Sequence, residues 1–211
     1  MRDTNTIKRF KDYDLFVEEC NELKDFVIDY MGRDKYGSVN IKMIKAFSSF
    51  EKSTLFGRYY RPTDTIAIYL YNIRNRTEMH QHAKLLAITV IIHELVHSNR
   101  CADTKNDIIF NAHKNYKNAM ELDCRLQTMR IFTGMKDILI KRPYLFTEKA
   151  INQQIINIKI DILKYYWNMI PDDESIGIKT NDKIREKLNE ISDLLEQEDI
   201  FKDVPEFGWI R

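Results

Sequence analysis

Apolar residues recur along this chain at spacings that shift from helical to strand-like and back, the pattern of an α+β protein. From Tyr13 to Met31, the residues Leu15, Phe16, Cys20, Leu23, Val27 and Tyr30 fall three and four apart, which predicts an amphipathic helix closed by Gly32. The period then drops to two. Val39, Ile41 and Met43 alternate with Asn40 and Lys42, as in a half-buried strand, and Thr65 to Tyr71 is a β-branched and aromatic run bounded by Pro62 and Asn72. With a third strand around Leu55 to Tyr60, these segments predict a small antiparallel or mixed sheet.

The helical period returns at Glu78, with Thr77 as its cap, and is predicted to run to Ser98. Ala87, Ile88, Val90, Ile91, Ile92, Leu95 and Val96 are apolar nearly all round, so this helix should be buried. Polar residues from Ser98 to Lys105 predict a turn. Asp107 to Phe132 reads as the next helix, with Ala119, Leu122, Leu126 and Met129 as its apolar stripe and Gly134 at its end. One long helix is marked by Ile151, Ile155, Ile158, Ile162, Tyr165 and Tyr166 and stops before Pro171. Another, from Asn181 to Phe201, turns Ile184, Leu188, Ile191, Leu194 and Leu195 inward. The expected organisation is a core over residues 1–135 and a helical C-terminal extension over 136–211 packed on it.

Within the buried helix stands His93-Glu94-Leu95-Val96-His97, an H-E-x-x-H motif. Two histidines four apart lie ~40° apart around a helix axis and one turn apart along it, so both imidazoles reach one ion. Glu94, beside the first of them, can take a proton from water that such an ion acidifies from a pKa near 16 toward ~7. A chance arrangement on an amphipathic helix is the alternative. With five histidines in 211 residues, and with charged or imidazole groups placed in an apolar helix that must find them partners, a metal site is the stronger expectation. The ion such donors suit is Zn²⁺.

A third ligand is sought on another helix. Glu121, in Met120-Glu121-Leu122-Asp123-Cys124, lies 24 positions after His97, far enough to cross a turn and return on an antiparallel helix. Cys124 is small enough to let the two helices approach. Arg125 can pair with Glu121 or Asp123 and fix the carboxylate; an exposed face with an ordinary Glu–Arg pair is the alternative. His80 and His82 lie too far along the helix to share the ion, His82 by ~16 Å, and are expected to be solvated.

In the order Gly57-Arg58-Tyr59-Tyr60, Thr65-Ile66-Ala67-Ile68, His93-Glu94-Leu95-Val96-His97 and Glu121-Leu122-Asp123-Cys124, residues 38 to 132 resemble the gluzincin-type zincin metallopeptidases, in particular the ImmA/IrrE-like and minigluzincin groups. The resemblance implies a zincin-like core, a small sheet packed on the H-E-x-x-H helix and a ligand helix, with His93, His97 and Glu121 as zinc ligands, Glu94 as general base, and a protein or peptide as substrate. Cys124 stands where the family pattern has alanine. SprT-like proteases are the second resemblance; there the third ligand is a histidine, and His113 is the histidine available, although Lys114 follows it where that pattern has glycine. A zincin sheet commonly binds its peptide along an edge strand, and Thr65 to Tyr71 is the expected edge.

Composition narrows the partners. Lysine and arginine total 33 against 32 acidic residues, so a net charge of +1 argues against nucleic acid or an anionic membrane as the main partner. No apolar run approaches the ~20 residues of a membrane span. The polar start, Met1 to Thr6, shows no signal-peptide core, and Cys20, Cys101 and Cys124 form no C-x-x-C pair, so a cytoplasmic, reducing setting is expected. Richness in Ile, Lys and Asn is the mark of AT-rich coding, as in low-GC bacteria and their phages, which adds a virion-associated location to the bacterial or host cytoplasm. The expectation is thus a zinc metallopeptidase. The competing one is a structural or assembly protein, for example of a phage particle, that keeps a zincin fold and docks a partner through its C-terminal helices and Phe207-Gly208-Trp209-Ile210.

Overall fold

The computed structural model describes residues 4–45, 55–77, 79–103 and 114–169, with side chains over 12–45, 55–77, 79–99 and 121–165. Helix α1 (Thr4–Met31) ends at Gly32, whose φ of 110° is open to glycine at little cost. A short turn of helix, α2 (Arg33–Tyr36), leads into strand β1 (Asn40–Ile44). Strand β2 (Gly57–Tyr60), a 3-10 turn at Arg61–Thr63 and strand β3 (Thr65–Tyr69) follow, then helices α3 (Leu70–Arg76), α4 (His80–Asp103), α5 (Lys114–Gly134), α6 (Lys136–Ile140) and α7 (Glu148–Met169). The described chain is mostly helical, with one small mixed sheet.

The sheet order is β1-β3-β2, with β1 parallel and β2 antiparallel to β3. Strand β3 is therefore central, and the expectation that it forms the edge is corrected. All five of its residues are buried, and an uninterrupted Thr-Ile-Ala-Ile-Tyr run is what a strand covered on both faces carries. Chain direction reverses at Asp64, which takes a left-handed φ of 44° and whose carboxylate accepts a hydrogen bond from Tyr59 Oη at 3.0 Å. An aspartate tolerates this conformation better than most side chains.

Helix α4 is the element on which the others converge. It packs against α1, α3, α5, α7, β2 and β3, and Leu85, Ile88, Ile91, Ile92 and Leu95 are wholly buried. It continues to Asp103, so no turn begins at Ser98, which is buried with its hydroxyl donating to the Leu95 carbonyl at 2.9 Å and so sits inside the helix at no cost in unmade hydrogen bonds. Its first turn is clamped to α1. Glu19 accepts from Lys84 Nζ at 3.0 Å and lies 2.7 Å from His80 Nε2, and Lys84, only 5% exposed, also lies over the Phe146 ring. His80 is thus paired, where solvation was expected. Helix α7 is tied to α4 by Gln154 donating to Thr89 Oγ1 at 3.0 Å.

The predicted strands at β1 and β2 form, although β3 stops at Tyr69 and α3 begins where the strand was expected to continue. Helices α2 and α6 were not foreseen. The start of the Asp107–Phe132 helix as far as His113, the helix over Asn181–Phe201 and the Phe207–Ile210 tail lie outside the described residues. No described helix is long and apolar enough to cross a membrane.

Gly57 sets how closely β2 approaches α4. A Cβ there would come to 2.6 Å from Val90 Cγ1 and 2.9 Å from both Cγ and Oε1 of Glu94. Val90 is β-branched on a helix and has almost no other rotamer to adopt. We expect Gly57→Ala to destabilise the fold by about 1–3 kcal/mol, read as a lower urea midpoint. Combining it with Val90→Ala should cost less than the two changes separately; strict additivity would mean that β2 simply moves aside.

Candidate metal centre

Two turns of α4 and two of α5 build the site. His93 and His97 come one turn apart on the same face of α4, and their Nε2 atoms lie 3.1 Å apart. Glu121, near the middle of α5, brings Oε1 to 3.2 Å from His97 Nε2 and Oε2 to 3.6 Å from His93 Nε2. The helices run antiparallel here, since His93 meets Thr128 while His97 meets Cys124 and Glu121. Tetrahedral zinc with bonds of ~2.1 Å sets its ligand atoms ~3.4 Å apart. The shortest separations lie near that value, and with one ligand atom from each residue the three atoms stay within 4.8 Å of one another, so the group is of a size to close on one such ion.

The far sides of both rings are engaged by α5. Thr128 Oγ1 donates to the Cys124 carbonyl at 2.7 Å, which commits its proton and leaves its lone pairs to accept from His93 Nδ1 at 3.4 Å. Cys124 Sγ lies 3.5 Å from His97 Nδ1 and acts there as a weak acceptor. Both contacts favour the tautomer with the proton on Nδ1, which turns each Nε2 lone pair toward the common centre. A residue as small as Cys124, fully buried, lets the two helix backbones come close enough for this.

Glu94 points from α4 toward β2. It is 7% exposed, and the Tyr59 backbone amide donates to its carboxylate. Tyr69 N donates to Phe56 O at 2.8 Å, so by alternation along an antiparallel pair the amides of Gly57 and Tyr59 face away from β3 and toward the outer edge. Burial, reinforced by the Glu121 charge, pushes the Glu94 carboxyl up to about 7, against the opposing pull of His97, the Tyr59 amide and Arg125. Burial lowers His93. At His97 burial also opposes charge, but the hydrogen bonds it donates to Cys124 and Glu121 outweigh it and carry the pKa up to about 10. Glu121 is desolvated too, yet its contacts with the two imidazoles hold it well below the usual carboxylate range. Without a cation the site is thus a charged His97–Glu121 pair beside a reluctant Glu94.

Family models, curated proteins and solved structures were compared with the chain, and none of them matches it. The site therefore stands on its geometry. All four residues singled out from sequence, His93, Glu94, His97 and Glu121, come together. His113 lies outside the described residues. Sequence reasoning missed Thr128, whose only signal was a hydroxyl one turn after Cys124, and Asp161 on α7, to which Arg125 is salt-bridged.

The Glu94 shift carries a stability consequence whose sign is fixed. Its folded pKa of about 7 exceeds the ordinary 4.5, so the fold holds the proton more tightly than the unfolded chain does. The associated stability is present below pH 4.5 and is lost as pH rises through 7. In metal-free protein Glu94→Gln should therefore raise stability at pH 8 by about 1–3 kcal/mol and change it little at pH 4.5. Thermal melts at the two pH values test this; an equal effect at both would show that Glu94 ionises freely in the fold.

Proposed function

We propose that this protein is a zinc-dependent metallopeptidase of zincin type, with His93, His97 and Glu121 as the metal ligands and Glu94 as general base. The observation that carries the reading is the meeting of three donor groups, 3.1 to 3.6 Å apart, beside a buried carboxylate with a pKa near neutrality. Zinc held there would supply acidified water and polarisation of a substrate carbonyl. The rest is work for the chain's own groups. Glu94, poised near 7, accepts the proton of the attacking water and returns it to the leaving amine, a task for which a carboxyl of ordinary pKa is too weak a base and too strong an acid. The Tyr59 amide holds that carboxylate in place from β2.

Strand β2 takes over the part first expected of β3. It lies at the border of the described sheet, against α4, and Glu94 fills the space that a Cβ at Gly57 would need. A peptide added along its outer side would lie beside Glu94, its main chain paired with outward-facing backbone groups. This supports an extended peptide as the substrate class.

Purified wild type should bind one Zn²⁺ per chain, and Glu121→Ala should weaken that binding by more than the ~10- to 100-fold typical of residues behind the ligands. His113→Ala should bind zinc as wild type does. Competition against a chromophoric chelator measures all three; the reverse ranking of the two variants would assign the protein to the histidine-ligated, SprT-like type, and no zinc uptake by wild type would overturn the proposal. Glu94→Gln should keep zinc and lose peptide hydrolysis.

Zinc uptake should also release protons. His97 carries one in the metal-free protein up to about pH 10, and a ligand imidazole must be neutral, so apparent affinity should climb by about tenfold per pH unit between 7 and 9. Calorimetry in buffers of different ionisation enthalpy counts the protons. A pH-independent affinity would contradict the protonated His97–Glu121 pair.

A further inference from the structure

We infer that α7 is a working part of the metal centre, acting through Arg125 as the residue that positions Glu121. This rests on the zinc reading above and extends it to a helix that the sequence placed in a C-terminal extension packed on the core. Arg125 follows Glu121 by one turn of α5, and its Nε lies 3.9 Å from Glu121 Oε2. Two groups of α7 hold the guanidinium from the other side: Asp161 accepts from Arg125 Nη1, and the Tyr165 ring lies under Arg125 Cζ at 4.8 Å. One arm of the fork is thus fixed to α7 and its carbon lies over the phenol, while Nε stays 3.9 Å from the metal ligand.

That Nε is the one buried side-chain nitrogen or oxygen among the described residues without a hydrogen-bond partner. A buried N–H left unmade costs about 1–3 kcal/mol, so a fold retains one where another state satisfies it. In the metal-free arrangement the two imidazoles share both oxygens of Glu121, and Oε2, the oxygen nearer Arg125, is the one that faces His93 at 3.6 Å. With both Nε2 atoms and one oxygen of Glu121 held by an ion, these contacts to the imidazoles would be replaced. Oε2, 3.9 Å from Arg125 Nε in the metal-free arrangement, would then be the oxygen free to accept from it. Arg125 thereby favours the loaded state, and Asp161 does so through Arg125. A surface Arg–Asp pair contributes little to folding, so the effect belongs on metal affinity and not on stability.

The test is zinc affinity by chelator competition, alongside the melting temperature of the metal-free protein. Arg125→Lys, which removes the fork, should weaken zinc binding by about 10- to 100-fold, and Asp161→Asn by several-fold, with Asp161→Glu restoring most of it. Neither change should lower the metal-free melting temperature by more than a few degrees. The deciding measurement is a double-mutant cycle. In a Glu121→Ala background, Arg125→Lys should have no further effect on the residual affinity, because the carboxylate it positions is gone. Equal losses with and without Glu121, or wild-type affinity in both Arg125→Lys and Asp161→Asn, would overturn the inference while leaving the zinc site standing. Wild type that takes up no zinc would overturn the metal centre itself and the role of Arg125 with it.

Discussion

Taking imidazoles and carboxylates out of water costs several kcal/mol for each charge unless other groups replace the lost solvation. Helix α4 carries His93, Glu94 and His97 into its packed middle, where Ile91, Ile92 and Leu95 are wholly buried. Everything around that segment answers the same demand. Helix α5 supplies an acceptor to each Nδ1 and a carboxylate to the Nε2 pair; strand β2 supplies an amide to Glu94. The apolar neighbours make these contacts strong by excluding water, and the contacts make the burial tolerable.

The same demand explains the uneven electrostatics. Glu121 and Glu94 are both carboxylates in a low-dielectric setting, but the first is hydrogen-bonded to two imidazoles and driven toward the charged form, while the second is more deeply buried, has one amide as its donor and is driven toward the neutral form. Two groups of one chemistry are pushed apart by environment, and the proposed division of labour, one holding a cation and the other moving a proton, rests on that difference.

What could be read in the sequence followed from range. The His93–Glu94–His97 set is local, its geometry fixed by helix pitch, and so it was legible residue by residue. Glu121 was legible because an apolar stripe fixed the face of its helix and Arg125 marked the spot. Strand order was not. Thr65 to Tyr69 shows its central position only as an absence of alternation, and which strands flank it depends on pairings that no period encodes. His80 and Lys84 share Glu19, more than sixty residues away, and Arg125 finds Asp161 across α5 and α7. Such pairs connect segments whose patterns are independent of each other, so the sequence offered the helices without their contacts.

The contact between α4 and α5 has one further property. Glu121, Cys124 and Thr128 are spaced by three and four residues on one face, and each meets a histidine of a pair spaced by four on the other helix. Sliding either helix by a single turn, about 5.4 Å, would leave only one of Cys124 and Thr128 opposite a histidine, so one Nδ1 would lose its acceptor. Only one register between α4 and α5 therefore gives both imidazoles their acceptors and the carboxylate together, and the packing of these two helices sets the site as it sets the fold.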